Sequence, residues 1–219
     1  MRNYAADSRA TRTATSYPPP EVPPTIEPVE LADWVESRLE RIVKRWFQEM
    51  LRRDAFNNGQ LADIMREFLE LLVSFLPGLV GARRDQVDST WAQAAELFGA
   101  LAARRGLAAG EVVEEFQLLR EAVIRLLYQD PPLGGRAPLS LREVLRLNRA
   151  IDRGVTHASV GHTDALFFSL FEGSGIPDAP PAEELVGEVR AQLEVIRREL
   201  RSRLGRLPGE GFLGGSLEE

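Results

Sequence analysis

The stretch from Ala95 to Leu127 reads AELFGALAARRGLAAGEVVEEFQLLREAVIRLL, and it decides the fold class of the chain. Apolar residues recur at steps of three and four on both sides of its centre, a pattern that predicts amphipathic helices. In the middle, Arg104 and Arg105 precede Gly106, and cations followed by a glycine are typical of a helix C-terminus. The stretch therefore predicts two helices joined by a short turn.

The same helical period extends through most of the chain, and strand-like alternation of useful length is absent. Proline and glycine pairs separate the periodic segments, as at Pro77-Gly78 and Pro131-Pro132. The sequence thus predicts an all-α fold with about five core helices and one further helix near the C-terminus. The predicted helices cover Leu31 to Leu51, Leu61 to Leu76, Asp85 to Arg105, Gly110 to Gln129, Leu141 to Phe171 and Ala182 to Arg203.

Two segments outside the helices differ from them in composition. Residues 1–28 contain the proline-rich run SYPPPEVPPTIEP, which cannot donate a ladder of backbone hydrogen bonds, so we predict a disordered arm. Residues 206–219 contain several glycines and are predicted to form a flexible tail. Between these segments we predict a helical domain over 29–172 and an amphipathic helix over 181–205.

The overall composition excludes several function classes. The chain has 219 residues, of which 44% are hydrophobic and 27% charged, values that are typical of a soluble globular protein. A net charge of −6 argues against nucleic acid as the main partner, since phosphate binding needs a basic surface. The absence of cysteine excludes disulfides and thiolate metal sites. We find no membrane span and no secretory signal, so we expect a cytoplasmic location.

Both histidines lie in the segment THASVGHTDALFFSLF, which begins at Thr156. His157 and His162 are five residues apart, which separates them by about 140° around a regular helix. Two helical ligands of one metal normally share a face, so no metal site is predicted. One histidine is enough to bind haem in an all-α protein, so both are haem candidates, and simple packing of each ring is the alternative.

Sequence motifs of catalysis are absent from the chain. It contains no GxxxxGK[ST] phosphate loop, no GxSxG elbow, no HExxH pair and no Glu-x-x-His pairs of a di-iron bundle. Glu111, Glu114 and Glu115 cluster at a predicted helix start, where carboxylates interact favourably with the helix dipole. We therefore predict no catalytic residues, no cofactor and no enzyme activity.

The Ala95–Leu127 stretch, with its pattern VVEEFxLLRxxVIRLL, resembles the N-terminal sensor domain of the RsbT co-antagonist family, the RsbRD N-terminal domain. Trp46 and the segment NRAID at Asn148 to Asp152 fit the same layout, and the resemblance covers residues 31–170. It implies a helical, globin-like bundle that needs no haem, forms dimers and serves signalling modules in bacterial stress and two-component systems.

The chain departs from the pattern implied by this resemblance at two points. Phe98-Gly99 stands where related sequences often have His-Gly, and no output module is recognisable after Phe171. The sequence therefore predicts a sensory or regulatory domain whose output is contact with a separate signalling protein. Glu115 and Arg120 are the polar residues of interest in the resembling helix: a buried Arg120 should meet a carboxylate of another helix, and the alternative is that both charges are solvated.

The C-terminal segment FLGGSLEE, Phe212 to Glu219, offers an alternative of another class. It resembles the peptides that dock cargo inside encapsulin shells, with Leu213 and Leu217 as candidate apolar anchors. This resemblance implies an encapsulated cargo or ligand-binding protein.

Aromatic and branched side chains at helical spacing predict the core, and two further apolar groups predict a homodimer. The C-terminal helix has a coiled-coil-like seam, and the run LFFSLF carries apolar side chains on more than one face. Gly154 and Gly161 would allow another helix to approach closely, while folding of the last helix onto its own bundle is the alternative. The candidate partner-binding residues are Phe168, Phe171, Val186, Val189, Leu193, Ile196 and Leu200. The predicted core consists of Trp34, Trp46, Phe68, Leu72, Trp91, Phe98, Phe116, Leu119, Ile124, Val144, Leu147, Ile151 and Phe167.

Overall fold

A computed structural model describes residues 26–53, 59–132, 141–171 and 182–208 of the chain. These residues form a helical bundle and contain no β-strand, which confirms the all-α prediction. The globin likeness remains a prediction that rests on the resemblance. Seven helices follow in order: α1 (Pro28–Glu36), α2 (Leu39–Arg52), α3 (Gly59–Val80), α4 (Arg84–Arg104), α5 (Ala109–Gln129), α6 (Leu141–Phe171) and α7 (Ala182–Leu204).

The first predicted helix is divided into two. Ser37 and Arg38 interrupt it: Ser37 Oγ donates a hydrogen bond to the Trp34 carbonyl at 2.9 Å, and Arg38 leaves helical geometry at φ −128°. Arg38 also donates to Asp130 through two nitrogens, at 2.7 and 3.0 Å. A serine that bonds to the backbone competes with helix formation, and the ion pair holds the break against the end of α5.

The third helix continues past its predicted end. The prediction stopped it at Leu76 because Pro77 has no backbone N–H, yet α3 extends to Val80. Leu79 and Val80 are buried, so the apolar burial of an additional turn offsets the hydrogen bond that proline removes. The Gly81 N–H still donates to the Pro77 carbonyl at 3.1 Å, which closes the helix.

Aromatic rings fill the centre of the bundle. Phe98 contacts Phe68 and Phe116 edge-on, with centroids 5.5 Å apart in both pairs, and Trp46 and Trp91 pack around them. The predicted core is buried except at three positions: Ile124 and Val144 are half-buried, and Phe167 is 56% exposed. The placement of Phe167 in the core was therefore wrong, because α6 leaves the bundle before that residue.

Helices α4 and α6 cross with their backbones in contact. A Cβ atom on Gly99 would overlap the Ala158 carbonyl oxygen, and one on Gly161 would overlap the Glu96 carbonyl oxygen. Two turns earlier on the same face of α6, Gly154 leaves space for the rings of Trp91 and Phe116. Gly154 and Gly161 thus allow close approach, as the sequence predicted, but what approaches belongs to the chain's own helices and not to a second copy.

Helix α7 packs on α3 and α4 of the same chain. Its apolar seam is buried there, and the ion pairs Arg104–Glu188 at 2.7 Å and Arg190–Glu67 at 2.9 Å flank it. The apolar stripe predicted on the last helix is present. It packs on the same chain, however, and not on a second copy as the sequence analysis proposed. About ten residues separate Phe171 from Ala182, enough to span about 33 Å, so α7 can return to its own bundle. The buried seam residues are Val186, Val189, Leu193, Ile196 and Leu200.

Both predicted flanking segments lie largely outside the described residues. Of the 1–28 arm, residues 26–28 are described: Ile26 is buried, and α1 begins at Pro28. The predicted flexible tail over 206–219 begins too early, because Leu207 and Pro208 are buried against the bundle. Leu213 and Leu217, the candidate anchors for an encapsulin shell, lie outside the described residues, as does the whole segment 212–219.

The α4–α6 crossing predicts a large difference between two glycine substitutions. Gly161→Ala should lower the free energy of unfolding by about 2–3 kcal/mol, because its methyl group forces the backbones apart. Gly187→Ala, on an open face of α7, should raise it by about 0.5–1 kcal/mol, because alanine loses less entropy on folding. Urea unfolding of both variants measures the two values. Equal effects would contradict the described crossing.

Candidate functional site at the end of helix α6

Charged pairs fix the middle of α6 to two neighbouring helices. Arg120 of α5 pairs with Asp152, and the next residue, Arg153, pairs with Asp88 of α4. The side chain of Arg120 is half-buried and pairs with an exposed carboxylate of another helix, so its environment lies between the two alternatives that the sequence left open. These contacts set the rotation of α6 about its own axis, because they hold two successive residues to different partners.

The two histidines are further contacts of α6 with the bundle. His157 Nδ1 lies 2.9 Å from Glu96 Oε1 on α4, and this pair is partly exposed. His162 is buried, and its Nε2 lies 2.7 Å from the carbonyl oxygen of Leu107, in the turn between α4 and α5. The carbonyl can only accept, so His162 Nε2 donates this hydrogen bond.

The arrangement does not fit a haem. His162 uses Nε2 for the Leu107 carbonyl, and His157 lies beside Glu96 at the surface. The interior beneath α6 is occupied by the aromatic rings of Phe98 and Phe116, whose centroids are 5.5 Å apart. Within the described ranges, no group of three or more His, Asp or Glu side chains is placed to hold a metal ion. The histidines thus act as packing and hydrogen-bonding residues here.

After His162, α6 continues for nine residues without a single buried side chain. At about 1.5 Å per residue this segment is about 14 Å long. It carries five large apolar side chains, all of them exposed: Leu166, Phe167, Phe168, Leu170 and Phe171. We call residues 163–171 the α6 end. Isolated apolar side chains are common on protein surfaces, whereas here five of them lie together on nine residues.

The apolar side chains of the α6 end surround much of the helix. Their positions cover about 200° of its circumference, a wider arc than one neighbouring helix contacts. Phe167 and Phe171, one turn apart, form a ring pair with centroids 4.5 Å apart. Such a pair restricts the motion of both rings before any partner binds.

The predicted partner-binding residues divide into two groups. Phe168 and Phe171 lie on the α6 end and are 67% and 74% exposed. The other five belong to α7 and are buried in the chain's own bundle. Leu166 and Leu170 belong to the same surface. The sequence analysis included them in the run LFFSLF but did not name them among the partner-binding candidates.

A buried carboxylate lies near the turn that holds His162. Glu115 of α5 is 6% exposed, and among the described residues its Oε2 has no hydrogen-bond partner. Burial raises its pKa to about 7, and the positive charges of Arg105 and Arg53 oppose part of that increase. Burial likewise lowers the pKa of Arg105. Glu115 follows the buried Val112 by three residues, a spacing that places both on one face of α5. The sequence pattern therefore indicated that Glu115 is buried.

The raised pKa of Glu115 predicts that the folded state loses stability as the pH rises. Because its pKa in the folded state lies above the ordinary value for a glutamate, the native chain retains a proton that the unfolded chain releases. The free energy of unfolding should therefore fall by about 3 kcal/mol between a pH of about 4.5 and about 7. Glu115→Gln should remove this decrease. Denaturation across the pH range measures it, with Glu121→Gln on the solvent side of α5 as control; an unchanged slope in Glu115→Gln would contradict the assignment.

Comparison with known proteins identifies the domain. Residues 38–166, more than half of the chain, match the family described as the RsbT co-antagonist protein rsbRD N-terminal domain. The match covers α2 to α5 and α6 as far as the first apolar residue of the α6 end. No curated protein and no solved structure matches the chain. The resemblance seen in the Ala95–Leu127 stretch is confirmed, and the chain belongs to the RsbRD N-terminal domain family.

Proposed function

We propose that this chain is a non-enzymatic regulatory domain of bacterial stress signalling that acts in the cytoplasm through protein–protein contacts at the α6 end. Membership of the family supports the signalling role. The role of the α6 end in protein–protein contacts rests on one observation. Helix α6 is held by buried contacts as far as His162 and then presents five exposed apolar side chains. A helix of this design transmits changes within the bundle to the surface that a partner contacts.

The partner proposed for the α6 end is a second copy of the chain. The segment has apolar residues on a broad arc, as a helix needs when it packs against an identical helix and against the neighbouring bundle. Full burial of each large apolar side chain contributes about 1.5–3 kcal/mol, so five of them are enough to stabilise a dimer at micromolar concentration. The α7 seam is already buried, so the α6 end replaces it as the proposed interface.

The dimer then contacts a separate signalling protein. Tyr128, near the end of α5, and Leu141, at the start of α6, are among the exposed apolar residues outside the α6 end. Such residues are available for contacts of the dimer with its target while the two α6 ends pair. The encapsulin alternative, with docking through Leu213 and Leu217, remains a prediction from the sequence alone.

A single charge on the α6 end tests the proposal. At about 10 μM the wild-type chain should sediment as a dimer, and Phe168→Glu should sediment as a monomer, because a carboxylate would be buried in the interface. Val195→Glu is the matched control: Val195 is 58% exposed on α7, and its substitution should leave the dimer intact. Circular dichroism verifies that both variants keep their helix content. A monomeric wild type would contradict the proposal, and a dimeric Phe168→Glu would place the interface elsewhere.

A further inference from the structure

The turn between α4 and α5 carries the last buried contact of α6. Gly106 adopts a φ of +77°, and the Leu107 N–H donates to the Ala102 carbonyl at 3.0 Å, which closes α4. The carbonyl of Leu107 then accepts the hydrogen bond of His162. The geometry of this turn thus fixes the point at which α6 leaves the bundle.

Charged groups from three helices face Glu115. Arg105, at the end of α4, and Arg53, at the end of α2, attract its carboxylate, and Glu111 on its own helix repels it. From α3, the uncharged Met65 contributes its Sδ atom, which lies 4.0 Å from Arg105 Nη1. Arg53 is shared, because its guanidinium also binds Glu114 at 2.8 Å.

The neutral and the ionised forms of Glu115 require different surroundings. A neutral carboxyl group tolerates the buried position, with Oε2 lacking a hydrogen bond. A carboxylate needs either water or a close pairing with Arg105, because a buried charge without full solvation is costly. Arg105 is the C-cap residue of α4, so a shift of its backbone toward the carboxylate would also move the turn that follows it. Movement of the turn displaces the Leu107 carbonyl on which His162 depends.

We propose that Glu115 is a proton-controlled regulatory site: its neutral form keeps the α4–α5 turn closed and the α6 end in the dimer-forming position, and release of its proton to solvent loosens both. This inference rests on the dimer proposed above. The signal is therefore a change of pH or of any condition that alters the protonation of this carboxyl group. The elevated pKa of Glu115 places the response close to neutral pH.

The two histidines of α6 must be separated from Glu115. His162 contacts the same turn, and His157 pairs with Glu96 at the surface. A pH response that came from either histidine would survive in Glu115→Gln, so that variant distinguishes them from Glu115. Glu121→Gln removes an exposed carboxylate from the same helix as Glu115 and is the matched control for charge.

The test measures the dimer dissociation constant of the full chain by sedimentation at a pH of about 6 and about 8. The wild type should dissociate at least about tenfold more readily at the higher pH, a typical size for coupling between two sites. Glu115→Gln should show the tight constant at both values, and Glu121→Gln should retain the wild-type response. A pH response that persists in Glu115→Gln would overturn the inference, as would a wild-type constant that does not change.

Hydrogen exchange on the wild-type chain tests the same inference without a substitution. Amides of Gly106 and Leu107 donate to the Ala103 and Ala102 carbonyls, so their protection reports closure of the turn. After correction for intrinsic rates, protection should fall as the pH rises through about 7. Constant protection would overturn the inference. A chain that is monomeric at every pH but shows this loss of protection would contradict the proposed dimer and leave the switch in place.

Discussion

The backbone contact between α4 and α6 is the constraint on which the rest of the structure depends. Gly99 and Gly161 each face a carbonyl oxygen of the other helix, and a single methyl group at either position would separate them. This approach places α6 over the aromatic centre of the bundle and brings His162 within reach of the α4–α5 turn. Where the crossing ends, the buried part of α6 also ends.

Helix α6 connects the interior of the domain to its surface as one continuous element. Its middle is held by ion pairs to α4 and α5, and its last nine residues extend beyond them with their apolar side chains in water. A helix is stiff over this length, so a small shift at His162 moves the whole α6 end. Glu115 lies on α5, the helix that follows the α4–α5 turn; burial raises its pKa to about 7, and Arg105 at the start of that turn attracts its carboxylate.

The sequence predicted the helices well because periodicity and chain-breaking residues are local signals; the limits of α5, α6 and α7 agree within about two residues. It did not predict the break at Ser37, which depends on the distant Asp130. Nor could it tell which helix would meet Gly161 or the α7 seam, because an apolar stripe has the same pattern whether its partner is the same chain or another copy. Phe167 was placed in the core for that reason.

The most direct measurement of the central claim is the distance between two α6 ends. The chain has no cysteine, so Thr163→Cys, at an exposed non-apolar position, provides one site for a nitroxide label. Paired helices lie about 8–10 Å apart, so pulsed electron resonance at a pH of about 6 should give a label separation of about 20–30 Å. Ser202→Cys, exposed on α7, should give a longer separation. The account would be contradicted if labels at position 163 gave no separation of about 20–30 Å. It would also be contradicted if labels at position 202 lay closer together than those at position 163.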